Sequence, residues 1–342
     1  MSLRTPDGPD MTKTSPRYLH VANGTSITGT IQQAGIPGRT SIWADPLHEG
    51  PVPGHLDDEQ LLEVRARHLA GDSTVAETIA GLRRWRQVID EHATYDELVL
   101  WYEHDLFDQL NLIQLLARIG EVVRGRKPVT LICIDAFPGH PSFKGLGELT
   151  PSELGSLFET RCPITDGQYE LAARAWDAFR ADTPQALDAL LRIDTSALPF
   201  LAAALARHLE DYPWTRDGLS RTERRVMSLA QAAPIDIRAA FPRMHDDETA
   251  FYIADSSFWQ IVTELESAAP PLVAVELTPS APGQLKVGAL ALTDAGRAIL
   301  GGHADRVELC GIDRWLGGVH LTGTQVVWRW DHAQGRICRA DG

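Results

Sequence analysis

At 342 residues the chain is longer than one typical core organises, so two domains are expected, with room for a third. Its net charge of −14 argues against broad affinity for nucleic acid or an anionic membrane surface. The four cysteines (Cys133, Cys162, Cys310, Cys338) are far apart and form no CxxC pair, a pattern that suits reduced thiols better than zinc or a disulfide framework.

Residues 1–16 are rich in Pro, Asp, Thr and Ser and lack the apolar core of a signal peptide, so they read as a disordered leader. No apolar run reaches the roughly 18 residues a membrane helix needs, and a cytoplasmic protein without membrane contact is expected. From 17 to 149 the chain alternates strand and helix patterns. Strands are expected at 18–22, 40–44, 97–103 and 129–134, with helices after 26, at 57–92 and at 106–119. The strands are apolar throughout rather than alternating, as strands covered on both faces should be. This spacing predicts an α/β fold: a mainly parallel, doubly wound sheet of about four or five strands with right-handed crossovers.

Residues 150–215 read as a helical segment. It opens with the capping box Thr150-Pro-Ser-Glu153 and continues through 168–180 and 184–209. From 216 to 342 the order is a second capping box (Ser220 to Glu223), a helix capped by Asp255, strands at 272–277 and 284–292 around a 278–283 turn, and a short helix opened by Thr293. That order outlines a winged-helix-like α+β domain, closed by a terminal hairpin holding Trp315, Trp328 and Trp330. Residues 218–302 carry seven basic side chains against ten acidic ones, and no Lys or Arg falls between Asp255 and Ala268. DNA readers neutralise several phosphates, so this domain is expected to pack or to bind protein rather than nucleic acid.

Three loops follow the first three strands, and in a parallel sheet all three lie at its carboxyl end, where ligands bind. The first, Asn23-Gly24-Thr25-Ser26, opens a helix whose free amides favour an anion, or whose Thr25 or Ser26 side chain caps it. The second holds Asp45, His48 and Glu49 between Pro46, Pro51 and Pro53, which stiffen it. The third is Glu103-His104-Asp105, with Asp108 and Gln109 in the next helical turn. Ionisable groups crowded at a strand end are costly to bury without a task. Glu103, His104 and Asp105 are therefore the catalytic candidates, a carboxylate beside an imidazole being suited to general-base work. Asn23, Gly24, Thr25, Ser26, Asp45, His48, Glu49 and Gln109 are the substrate-binding candidates. His48, Glu49 and His104 could together form a nitrogen and oxygen shell for a divalent metal. One constraint stands against this set: neighbours on a strand face opposite sides, so Glu103 and His104 share a pocket only if the strand ends before them. Asp105 could also serve only as a helix cap. His20, in a strand interior, reads as a satisfied core histidine.

Five segments carry a family resemblance. Leu19 to Gly24, Trp43 to Pro53, Leu100 to Leu110, Gly145 to Leu149 and Gly218 to Glu223 are similar to the bacterial family of domain of unknown function 1835. That family's first loop usually reads Asn-Gly-Asp-Ser, where this chain has Thr25. The resemblance implies the domain reading and no activity. The residues themselves favour an enzyme of hydrolase or transferase type acting on a small phosphorylated or nucleotide-like substrate. The alternatives are a ligand-sensing regulator whose winged helix binds DNA or a partner protein, and an interaction module without a small ligand.

Overall fold

The computed structural model describes residues 16–250, 252–278 and 287–340. Nearly all of the expected leader and most of the 278–283 turn lie outside the described residues. The amino-terminal half runs β1 (Tyr18–Ala22), α1 (Thr25–Gln33), β2 (Arg39–Ile42), α2 (Asp58–Leu69), α3 (Val75–Asp90), β3 (Glu97–Glu103), α4 (Leu106–Val122), β4 (Val129–Ile134), α5 (Pro151–Leu157) and β5 (Cys162–Pro163). These five strands form one sheet in the order β2-β1-β3-β4-β5, the first four parallel and β5 antiparallel at the edge. The chain order reverses between β1 and β3, which makes the gap beyond their carboxyl ends the topological switch point.

Both faces of the sheet are covered, and the side-chain alternation of β3 sorts residues between two cores. Leu98, Leu100 and Tyr102 enter the larger core with Leu110 and Ile113 of α4. Val99 and Trp101 enter a smaller one with Ile27 and Ile31 of α1 and Leu154 and Leu157 of α5. His20 belongs to the second face, fully buried, its Nδ1 accepting from Trp101 Nε1 at 3.1 Å and its Nε2 lying 3.2 Å from the Pro37 carbonyl. It is the satisfied core histidine its strand position implies. Helix starts follow local chemistry: Asp57, Thr74 and Thr150 each form a capping box with the residue three places on.

The remainder continues with α6 (Asp166–Arg180), α7 (Gln185–Leu190) and α8 (Leu201–Leu209). The expected single helix over 184–209 is interrupted at 191–200, where Asp194, Thr195, Ser196 and Pro199 favour turns. Next come α9 (Arg221–Leu229), β6 (Ile235–Asp236), α10 (Ile237–Met244), α11 (Asp255–Ser267), β7 (Val273–Thr278), β8 (Val287–Leu292) and α12 (Asp294–Leu300). β6, β8 and β7 make a small antiparallel sheet in that order. Ser220 and Thr293 cap their helices as expected, whereas α11 has Ala254 at the cap position and no capping side chain.

The chain ends with α13 (Arg306–Cys310) and two hairpins in place of the one expected, β9 (Ile312–Leu316) with β10 (Val319–Gly323) and β11 (Trp328–Asp331) with β12 (Arg336–Arg339). They pack back on the body of the fold: Gly317 accepts from Val52 N at 2.9 Å, and Gly318 donates to the Phe179 carbonyl at 3.0 Å. The larger core is continuous from the sheet through α6 and α8 to these strands. Among the described residues no helix is long and apolar enough to cross a membrane.

Candidate functional site

β1 and β3 deliver the first and third loops to the switch point, and there they meet. Asn23 Nδ2 donates to Glu103 Oε1 at 3.3 Å and to Asp108 Oδ2 at 2.8 Å. Asp108 Oδ1 accepts from the Glu103 amide at 2.8 Å, and Asp105 Oδ1 accepts from the Asp108 amide at 2.8 Å. Asp105 is thus the N-cap of α4 and a member of the cluster at once. Oxygens of Glu103, Asp105 and Asp108 lie within 4.8 Å of one another. All three residues are buried, the most exposed at 5%, yet they border an open cleft of about 460 Å³. Among the described residues no arginine pairs with any of them.

Burial sets the electrostatics. Desolvation, then the neighbouring Asp108 charge, pushes the Glu103 carboxyl up to about 8. Asp105 and Asp108 are raised as well, by desolvation first and by neighbouring carboxylates second. The remaining positions brace Glu103. Leu146 N donates to its Oε1 at 2.7 Å, and Gln109 Nε2 donates to its backbone carbonyl at 2.6 Å. Gly145 makes the Leu146 bond reachable, since a Cβ there would meet Glu103 Oε2 at 2.0 Å. On the other side of the cleft α1 begins at Thr25 with Gly24 as cap residue and no side-chain cap. The capping alternative for Thr25 and Ser26 is therefore not what forms, and the first amides of α1 are left to the cleft that Gly24 and Ser26 line.

Not every candidate joins this cluster. β3 keeps its alternation to the end, so Glu103 follows Val99 and Trp101 to one face and His104 turns to the other. There His104 Nε2 lies 3.3 Å from the Thr249 carbonyl, and the ring packs on Phe200. Asp45 is held by Arg65 through Oδ1 at 2.6 Å and Oδ2 at 3.0 Å, and its backbone is clasped by Asn111. It anchors the proline-rich loop rather than facing the cleft. His48 and Glu49 line a separate chamber behind Phe107 and Tyr252. The nitrogen and oxygen shell of His48, Glu49 and His104 therefore does not assemble, and the group able to hold a cation is the all-oxygen set Glu103, Asp105 and Asp108.

Asp108 is the residue sequence reasoning undervalued. Its place in a first helical turn explains an acid there by the helix dipole alone. The available signal was its spacing of three from Asp105 and five from Glu103, which brings all three onto one strand-to-helix corner. The brace from Gly145 and Leu146 is a contact across 43 residues of sequence and left no local mark. No protein-family model matches this chain, and no curated protein matches it.

Proposed function

We propose that the chain is an enzyme of hydrolase or transferase type that acts on a small phosphorylated or nucleotide-like substrate at the carboxyl edge of the sheet, with a divalent cation held by Glu103, Asp105 and Asp108. One observation carries this reading: three buried carboxyl groups whose oxygens approach within 4.8 Å, with no arginine beside them. Such a group is stabilised by protons or by an added cation. An all-oxygen donor set suits a hard ion such as Mg²⁺ or Mn²⁺, which completes its shell with water and substrate phosphate. The open amides of α1 stand across the same cleft, where a phosphate would satisfy them.

Roles then divide among the chain's own residues. Asp105 and Asp108, fixed by backbone amides, hold position. Asn23 ties Glu103 to Asp108 and so sets the spacing of the donor oxygens. Glu103, its carboxyl raised to about 8, can exchange a proton near neutral pH: in its ionised form it would take the proton of an attacking water or hydroxyl group as the new bond to phosphorus forms, and would return it to the leaving oxygen as that bond breaks. The bound cation would offset charge on the phosphoryl oxygens.

The test is calorimetric titration of Mn²⁺ in two buffers of different protonation enthalpy, followed by a turnover screen of phosphate esters and nucleotides. Cation binding should release protons near pH 7 and disappear in Asp108→Asn. Absence of divalent binding would overturn the cation, and binding without turnover of any substrate would favour the ligand-sensing reading.

We also infer a winged helix for the stretch from α9 to β8, supported by its order of helix, strand, two helices and hairpin with β6 paired to β8. The outward face of α11 carries Asp255, Trp259 and Glu266, which fits a protein partner rather than DNA. Salt-dependent binding of duplex DNA would reverse that choice. Membership of the family of domain of unknown function 1835 is likewise a proposal. It is supported by four of the five similar segments contributing residues to the cleft or to the loop beside it.

A further inference from the structure

The chamber behind Tyr252 has a built interior of its own. It encloses about 280 Å³, at the small end for a ligand pocket, between the loop after β2, α11 and β9. The His48 side chain, 9% exposed, lies inside it. Its Nδ1 meets no hydrogen-bond partner, and its Nε2 stands 3.3 Å from Glu49 Oε1 without an aligned bond. Both ring nitrogens are closed to solvent, so the Glu49 carboxylate is the acceptor these two residues offer to the chamber.

The charges facing this space are biased to one sign. Burial opposes ionisation of Glu49, but the imidazole of His48, Ser257 and the more distant His68 outweigh it and hold the carboxyl down to about 2. Glu264 adds a second carboxylate at the rim. Arg314, the guanidinium among the lining residues, is already engaged by Glu223 at 2.7 Å and by Glu264 at 3.6 Å. Asp211 is paired with Arg207 at 3.0 Å, and Asp313 with His320 at 2.7 Å. His68, from α2, has its pKa lowered, by burial first and by Arg65 second, and so adds no fixed positive charge near neutral pH. Tyr252 and Trp315 supply aromatic lining.

We propose that this chamber is a second ligand site, separate from the carboxyl cluster, and that it takes a small planar cation rich in N–H donors, of the amidinium or guanidinium class. Such a group donates to the Glu49 carboxylate, lies against an aromatic wall, and sets a positive charge beside that carboxylate. An anion of the same shape would meet two carboxylates and no free cation.

Benzamidine tests this, with benzoate as the isosteric control, by calorimetry or ligand-observed NMR on the full chain. Benzamidine should bind the wild-type protein and benzoate should not. Glu49→Gln removes the charged acceptor and should weaken binding about tenfold or more. Gln260→Trp, a change at an exposed position of α11 that faces the chamber, should block binding by filling the space, and it keeps the test open if Glu49→Gln folds poorly. Asp108→Asn, at the other site, should leave benzamidine binding unchanged. Absent benzamidine binding, equal binding of benzoate, or affinity indifferent to both chamber variants would overturn the site.

Discussion

Two buried acidic centres in this molecule start from the same physical problem and end in opposite states. Glu223, 2% exposed at the start of α9, meets Arg306 at 3.1 Å and Arg314 at 2.7 Å and accepts from the Ser220 amide at 2.9 Å. Burial alone would raise its pKa, but the two guanidinium groups outweigh burial and hold the carboxyl far below the usual range. Glu103, Asp105 and Asp108 are buried to a similar degree and are shifted the other way. Asp45 is likewise buried against a guanidinium, that of Arg65 at 2.6 Å. Where the chain supplies its own cations, a buried acid ties elements together. Where amides and one asparagine hold the carboxyl groups and no arginine pairs with them among the described residues, burial raises them and they keep their protons to higher pH.

Removing an acid from the first class should cost most. Glu223→Ala strands Arg306 and Arg314 and is expected to destabilise by about 3–5 kcal/mol in denaturant unfolding. A loss under about 1 kcal/mol would erase the contrast, since that is the worth of an exposed pair.

The pH dependence sharpens the comparison next. Glu103 has a folded pKa of about 8, above the ordinary 4.5 of a free glutamate, so its stabilising contribution is complete below 4.5 and is lost as pH rises through 8. Glu223 has a lowered folded pKa, so its contribution is present above 4.5 and is lost as pH falls. Between pH 5 and 9 the metal-free protein should therefore lose roughly 2–4 kcal/mol. Glu103→Gln should flatten that decline, and Mn²⁺ should flatten it in the wild type. A decline indifferent to both would remove the cluster as its cause.

A smaller effect is expected from the brace. Gly145→Ala places a methyl group against the Glu103 carboxylate and should cost about 1–3 kcal/mol through forced repacking, with weaker cation binding as the companion readout. Smallest is Thr25→Asp, which introduces an acidic residue at the start of α1. At the exposed first residue of α1 it should stabilise by about 0.3–1 kcal/mol through the helix dipole while weakening phosphate binding at the same amides. Tighter phosphate binding in that variant would contradict an anion site at α1.

The sheet was legible where burial is continuous. β1, β3 and β4 have the bounds their apolar runs predict, because strands covered on both faces admit few polar interruptions. β5, two residues long, carries no pattern to read. The break between α7 and α8 was visible in Pro199 and the polar residues before it but was outweighed by the apolar spacing on either side. Within the site, Asn23, Glu103 and Asp105 were legible because each sits at, or within two residues of, the carboxyl end of a strand. The second loop was misplaced for a physical reason: Arg65 and Asn111 pull Asp45 and its neighbours across α4, away from the cleft and toward the terminal hairpins. No local signal states which way a loop will lean once it leaves its strand.

The alternation of β3 has a consequence for how this chain tolerates length changes. Glu103 and His104 are sorted to opposite sides of the sheet only by parity, counted from the paired residues of β1 and β4. A residue inserted within β3 would exchange them, turning an imidazole toward Asp105 and Asp108 and driving a carboxylate against Phe200. The same insertion in the connection at 91–96, ahead of the strand, leaves the count intact. Point substitutions can erode the cluster by degrees, whereas a one-residue insertion or deletion inside β3 would convert it in a single step to a different donor set.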